Sequence, residues 1–188
     1  MKTLSVNSFS TPWGPVTVVA SAEGLVRVIL PGGKSPKEKG QGGSPSRRAD
    51  AHARRTRREI LEYLRGRRRA FTVPLDLAAV PPFSRRVLLA ASRIPYGATV
   101  TYGHLARRAG LPGAARAVGQ VMARNPVPLL VPCHRVVASG GGLGGFTGGL
   151  VLKRRLLALE GARPARKCRV RACTHAEIGR WVQSTHPT

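Results

Sequence analysis

The stretch Asn125-Pro126-Val127-Pro128-Leu129-Leu130-Val131-Pro132-Cys133-His134-Arg135-Val136-Val137 constrains this chain more than any other. It is an apolar run, stiffened by prolines, that ends in a cysteine beside a histidine. A free thiol is mostly protonated at neutral pH and reacts as its thiolate, so it needs a base or a positive environment. His134 and Arg135 are immediate candidates. The competing reading is an inert buried cysteine, which is common. Neighbouring side chains in an extended segment point to opposite faces. Cys133 and His134 therefore cooperate only if the chain turns at Pro132–His134, or if a water carries the proton.

At 188 residues the chain can hold one ordinary domain or two small ones. Its 32 Lys+Arg against 8 Asp+Glu give a formal charge of +24, which points to a polyanion partner, most simply nucleic acid. A membrane surface is the weaker candidate. No apolar run reaches the roughly 18 residues that a bilayer span requires, so nothing is expected to span a bilayer, and nucleic acid rather than membrane is the expected partner. The start, Met1-Lys2-Thr3-Leu4-Ser5, lacks the apolar segment of a signal peptide. Three cysteines without a regular framework suggest a reducing, cytoplasmic compartment, nucleoid-associated in a prokaryote. Much of the excess is arginine, alongside abundant Ala, Gly and Pro, a pattern that genome composition also produces; charge alone does not establish DNA binding.

Residues 4–30 read as strands: Val16–Ala20 and Leu25–Leu30 are β-rich, with turns at Thr11-Pro12-Trp13-Gly14 and Ala22-Glu23-Gly24. The Gly/Pro/Ser/Lys/Arg segment 31–50 reads as a flexible, solvated loop whose charges could also touch a nucleic-acid backbone. A helix is expected from Ala51 to Arg67 with Ile60, Leu61 and Leu64 as its apolar stripe, then an edge strand over Phe71–Leu77. These pieces make a support domain, 1–78, with no catalytic constellation.

The second unit, 79–162, opens at Pro81-Pro82 with Ser84 as the expected N-cap and Val87, Leu88, Ala91 and Ile94 on one helical face. After Pro95-Tyr96-Gly97, a short extended piece leads into a helix over Tyr102–Ala109 closed by Gly110. A further helix is expected over Ala114–Arg124. Two short helices joined by a Gly-containing turn form a helix-turn-helix pattern. Ala115, Val118 and Met122 face inward, whereas Arg116, Gln120 and Arg124 share one face suited to phosphates and base edges. The alternative is an ordinary solvated face.

Beyond Cys133, the glycine-rich run Ala138–Gly149 carries one aromatic, Phe146, and fits no phosphate-binding pattern. It reads as a loop that wraps a flat ligand. A last helix spans Leu150–Glu160 with Gly161 as its cap. Glu160 is the only acid between Asp76 and Glu177 and stands where the helix dipole disfavours it. A carboxylate there can orient a histidine, which makes Cys133, His134 and Glu160 a candidate relay. The tail 163–188 holds Cys168, Cys173, His175 and His186 at no established zinc spacing, and reads as a basic, disordered extension without metal.

Asn125-Pro-x-Pro, Pro132-Cys133-His134-Arg135-Val136, Gly145-Phe146-Thr147-Gly148-Gly149-Leu150, Lys153 and Leu156-Leu157-x-x-Glu160-Gly161 together resemble the methylated-DNA–protein-cysteine methyltransferases, or 6-O-alkylguanine-DNA alkyltransferases. Thr11–Gly14 and Ala114–Gly119 match as well, so the resemblance covers roughly residues 5–162 and is strongest from 83 onward. It implies an α+β fold: a small ribonuclease-H-like N-terminal α/β domain plus a C-terminal helical, winged-helix-like helix-turn-helix domain. It implies a monomer acting on double-stranded DNA that contains alkylated guanine, with base flipping and no cofactor.

By the same resemblance Cys133 is the alkyl acceptor, His134 its water-mediated base and Glu160 the partner of His134. Asn125 braces the site, and Tyr102 presses on the rotating phosphate and helps protonate the leaving base. Arg116 fills the vacated space in the duplex; Thr101, Ala115, Gln120, Arg124, Arg135 and Ser139 complete the DNA surface. Val136, Phe146, Thr147, Gly148 and Lys153 form the guanine pocket, with Phe146 where the family often has tyrosine. A non-catalytic DNA-binding regulator and a Cys-His hydrolase are the alternatives; the second lacks an evident oxyanion hole and leaves the basic surface unexplained.

Overall fold

A computed structural model describes residues 3–33 and 44–162. Residues 34–43 of the 31–50 segment and the whole 163–188 tail, with Cys168, Cys173, His175 and His186, lie outside the described residues.

The N-terminal part is a three-stranded antiparallel sheet in the order β1 (Ser5–Thr11), β2 (Gly14–Ala20), β3 (Leu25–Ile29). The expected Thr11–Gly14 turn closes the first hairpin: Thr11 Oγ1 donates to the Gly14 carbonyl at 2.6 Å and accepts from Trp13 N at 3.2 Å. Helix α1 (Arg47–Leu64) covers the sheet with Ala53, Ile60, Tyr63 and Leu64. It begins four residues before the expected Ala51, because Ser46 caps it, accepting from Ala49 N at 3.2 Å. Arg47, Arg48 and Asp50 are charged, but the stretch 47–50 carries no helix breaker, so it extends the helix at its start.

The expected edge strand over Phe71–Leu77 does not form. Its contact with the sheet is one parallel bridge, Leu25 to Leu75, with bonds from Leu25 N to Pro74 O (2.8 Å) and from Asp76 N to Leu25 O (2.9 Å). Pro74 has no N–H to continue a ladder.

Helix α2 (Pro82–Ser92) starts with proline in its first turn and Pro81 as the cap residue, so Ser84 lies inside the helix instead of capping it. A two-residue strand, β4 (Val100–Thr101), leads into α3 (Tyr102–Arg108), which Thr101 caps by accepting from His104 N at 3.2 Å. Gly110, at φ 66°, ends it, and α4 (Ala115–Ala123) follows, burying Val118, Val121 and Met122. A 3-10 turn over Cys133–Arg135 feeds β5 (Val136–Val137), which pairs in parallel with β4. That pairing brings the cysteine turn beside the start of α3. Helix α5 (Gly149–Leu159) closes the described fold, with Glu160 as its C-cap and Gly161 at φ 66° behind it. One connected core joins Phe9, Val18 and Tyr63 to Val87, Leu105, Cys133 and Leu156.

Candidate active site

The proline-rich run before Cys133 folds back on itself. Val131 N donates to Val127 O at 2.9 Å, and Leu129 is forced to φ 75°, a left-handed conformation costing a branched side chain about 1–2 kcal/mol. The fold-back delivers Cys133 into the 3-10 turn. The chain therefore turns where an extended segment would have separated Cys133 from His134.

Cys133 is 3% exposed. Its Sγ accepts a hydrogen bond from Asn125 Nδ2 at 3.2 Å. That amide also donates to Val131 O at 2.8 Å, and Asn125 Oδ1 accepts from Val127 N at 3.1 Å, so its orientation is fixed. Burial pushes the thiol up; the Asn125 bond, Lys153 and the backbone amides of Cys133 and His134 offset this only in part. At rest the group is a thiol with donors already arranged for the thiolate.

His134 is fully buried, with Nε2 at 2.9 Å from Glu160 Oε1. Its Nδ1 is buried without a hydrogen-bond partner among the described residues. Burial lowers its pKa, and the attraction of Glu160 only partly restores it. The ring is therefore neutral near pH 7 and able to take up a proton. Burial alone would raise Glu160, but hydrogen bonds from His134 and Arg135 hold it at about 2. It is an ionised acceptor at any ordinary pH.

Arg135 does not contribute to a DNA surface. It is 6% exposed, and its guanidinium grips Glu160 through Nε to Oε2 (2.9 Å) and Nη2 to Oε1 (2.8 Å), while Nη1 donates to Ile94 O at 2.5 Å. A buried cation must be paired, and the carboxylate that fixes His134 also pairs Arg135. Gly97 N adds a bond to Glu160 Oε2 at 3.1 Å.

One contributor escaped the sequence reading. Tyr63 of α1, fully buried, donates to Glu160 Oε1 at 2.5 Å and lies 3.3 Å from His134 Nε2. In the sequence it is one more apolar position beside Ile60 and Leu64. Only the requirement that a buried tyrosine hydroxyl find a partner could have singled it out.

The glycine loop is tied down from below by Lys153. Its buried Nζ donates to the carbonyls of Val136 (2.6 Å), Gly145 (3.3 Å) and Leu143, and burial lowers its pKa to about 8. Phe146 is half-buried, its ring 6.4 Å from the His134 imidazole and edge-on to it. Tyr102, half-buried, stands against Gly144, where a Cβ would lie 2.7 Å from its hydroxyl oxygen. Thr147 is exposed and donates to Ala123 O at 3.0 Å; a Cβ on Gly148 would meet Phe146 at 2.9 Å. Val136 is buried and Ser139 exposed.

Arg116 and Gln120 on α4 and Arg124 at its C-cap are all exposed, with Ala115 half-buried. Thr101, half-buried, spends its oxygen on the α3 cap. Cys133, His134, Glu160, Asn125, Lys153 and Phe146 thus converge on one centre, while Arg116, Gln120 and Arg124 form a separate surface.

The family model described as "6-O-methylguanine DNA methyltransferase, DNA binding domain" matches residues 82–162. The chain is 37% identical over 154 residues to a methylated-DNA–protein-cysteine methyltransferase of Methanosarcina acetivorans, covering 82% of this chain and 96% of that protein. It is 49% identical over 98 residues to the protein of the same name from Mycolicibacterium paratuberculosis, covering 52% and 59%. In three dimensions it matches the crystal structure of Mycobacterium tuberculosis OGT in complex with DNA, with a TM-score of 0.71, 35% identity, and coverage of 83% of this chain and 92% of that one.

Proposed function

The chain belongs to the methylated-DNA–protein-cysteine methyltransferase family, and from that membership and the site geometry we propose that Cys133 accepts, once, an alkyl group from the 6-oxygen of guanine in duplex DNA. The observation that carries this reading is a pair of contacts on one 3-10 turn, the Asn125 amide to Cys133 Sγ and His134 Nε2 to Glu160.

His134, neutral and oriented by Glu160, takes up the thiol proton through a water at Nδ1. The thiolate attacks the alkyl carbon in line; the S–C bond forms as the C–O bond breaks. The departing guanine takes up a proton with help from Tyr102. Asn125 and the local amides stabilise the sulfur while it is charged. A thioether has no easy return path, so each molecule acts once. The lesion is itself the alkyl donor, which makes a cofactor unnecessary. The 4-oxygen of alkylated thymine offers the same leaving-group chemistry.

A sulfur so enclosed reaches a base only if the base leaves the stack, and flipping costs a few kcal/mol, less for a lesion that pairs poorly. The exposed α4 face docks on the duplex, with Arg116 entering the vacated space. Phe146, Thr147, Gly148 and Val136 enclose the guanine, and Lys153 holds their loop in shape. On this reading residues 79–162 are the winged-helix-like DNA-binding and acceptor unit and 1–78 the ribonuclease-H-like support, working as a monomer in the cytoplasm. Among the described residues no helix is long and apolar enough to cross a membrane.

The test is intact-protein mass spectrometry after incubation with an oligonucleotide duplex containing 6-O-methylguanine. One methyl group on Cys133 is expected, with transfer stopping at one equivalent. Cys133→Ala should abolish transfer and keep DNA binding. Continuous turnover, or an unmodified Cys133, would overturn the reading.

A further inference from the structure

The relay does not belong to the C-terminal unit alone. Glu160 Oε1 receives Tyr63 from helix α1, ninety-seven positions away in sequence, together with His134 and Arg135. A tyrosine hydroxyl has one proton, and the 2.5 Å contact assigns it to Glu160. Towards His134 Nε2, at 3.3 Å, the same oxygen can then only accept. Glu160, being ionised, can also only accept. Nε2 therefore faces two acceptors, and Nδ1 has no partner among the described residues.

We infer that Tyr63 is a positioning residue of the reaction: by donating to Glu160 while offering its oxygen to His134 Nε2, it keeps the ring proton on Nε2 and leaves Nδ1 as the basic nitrogen. Helix α1 is thus part of the reaction centre as well as a support for it. The inference rests on the alkyl-transfer reading above.

The charged and titratable groups around His134 are Glu160 and Lys153 from the α5 region, Arg135 and Cys133 from its own turn, and Tyr63 from α1, with Tyr96 packed edge-on against Tyr63 at 6.1 Å. Tyr63 also packs against Phe71, ring centroids 5.3 Å apart and tilted by 46°, so Tyr63→Phe keeps the aromatic packing and removes only the hydroxyl. Without that donor, Glu160 keeps its charge but loses a hydrogen bond that disperses it. The attraction on protonated His134 grows, and the ring holds its proton to higher pH.

The experiment is single-turnover methyl transfer by the full chain as a function of pH, wild type against Tyr63→Phe. The expected result is a plateau rate lower by about tenfold, the loss of one charge-assisted bond. The acid limb of the profile should also move to higher pH, with affinity for methylated duplex unchanged. A purely structural role would lower the rate without moving the limb, and an unshifted limb with a rate within twofold of wild type overturns the inference. Nitrogen NMR of His134 in the wild-type protein gives a check that needs no variant. Protonated Nε2 and bare Nδ1 are expected, and the opposite tautomer overturns it. If wild-type Cys133 is never methylated, the functional reading itself fails; if it is methylated and Tyr63→Phe behaves identically, only the role of Tyr63 does.

Discussion

The side-chain amide of Asn125 stands 3.2 Å from Cys133 Sγ and cannot turn away, because the same nitrogen is bonded to Val131 O and its oxygen to Val127 N. The donor is therefore placed before any charge forms on sulfur. Asn125→Ala removes it. A hydrogen bond to a charged group contributes about 1.5–3 kcal/mol, so methyl transfer should slow by roughly ten- to hundredfold. Single-turnover kinetics check this. The orphaned Val127 and Val131 groups should also lower the melting temperature.

Gly144 sits at φ 66° with the Tyr102 hydroxyl 2.7 Å from where a Cβ would be. Gly144→Ala carries a left-handed backbone cost of about 1–2 kcal/mol and pushes Tyr102 aside. With Tyr102 displaced, transfer from methylated duplex should fall at least about tenfold, since a positioned proton donor contributes roughly 10²–10⁴-fold. A crystal structure of the variant should show Tyr102 displaced. An unmoved Tyr102 with normal transfer would count against its proposed part in the chemistry.

Glu160 is held at about 2 in the folded protein against an ordinary 4.5. A carboxyl with a depressed pKa contributes stability that is fully present above about 4.5 and is lost as pH falls towards 2. Glu160→Gln should flatten that part of the stability–pH profile. It also leaves the buried Arg135 unpaired, so the variant should be less stable at pH 7 by about 3–5 kcal/mol. Urea titrations at several pH values test both statements, and parallel profiles for the two proteins would refute the first.

Arg116 is exposed and lies outside the cysteine centre. Arg116→Ala should slow repair of a methylated duplex while leaving transfer from the free base 6-O-methylguanine unchanged. Equal losses on both substrates would mean that Arg116 acts on the chemistry and not on the DNA.

Much of this was legible in the sequence. The hairpin, the two short helices with exposed Arg116, Gln120 and Arg124, and the last helix ending on Glu160 stand where periodicity and caps indicate. The start of α1 lies ahead of its expected Ala51 because the charged residues before it read as loop, although Ser46 is a strong cap. Phe71–Leu77 has strand-like composition, but a proline at its centre leaves a single bridge. Arg135 is basic, and nothing local says whether a basic residue faces DNA or a buried acid; the partner that decides it is 25 positions away. Tyr63 shows the same limit over a longer distance, since periodicity reports that a side chain is buried but not what its hydroxyl meets.

Cys133 is 3% exposed in a close-packed core. If Cys133 accepts a methyl group as proposed, the added volume meets this packed surrounding, and overpacking of this kind costs typically about 1–3 kcal/mol. On that reading each methylated molecule would keep a record of its one event in its own melting temperature. A mixed population becomes a dosimeter: the fraction melting early counts lesions removed, with no label on the DNA.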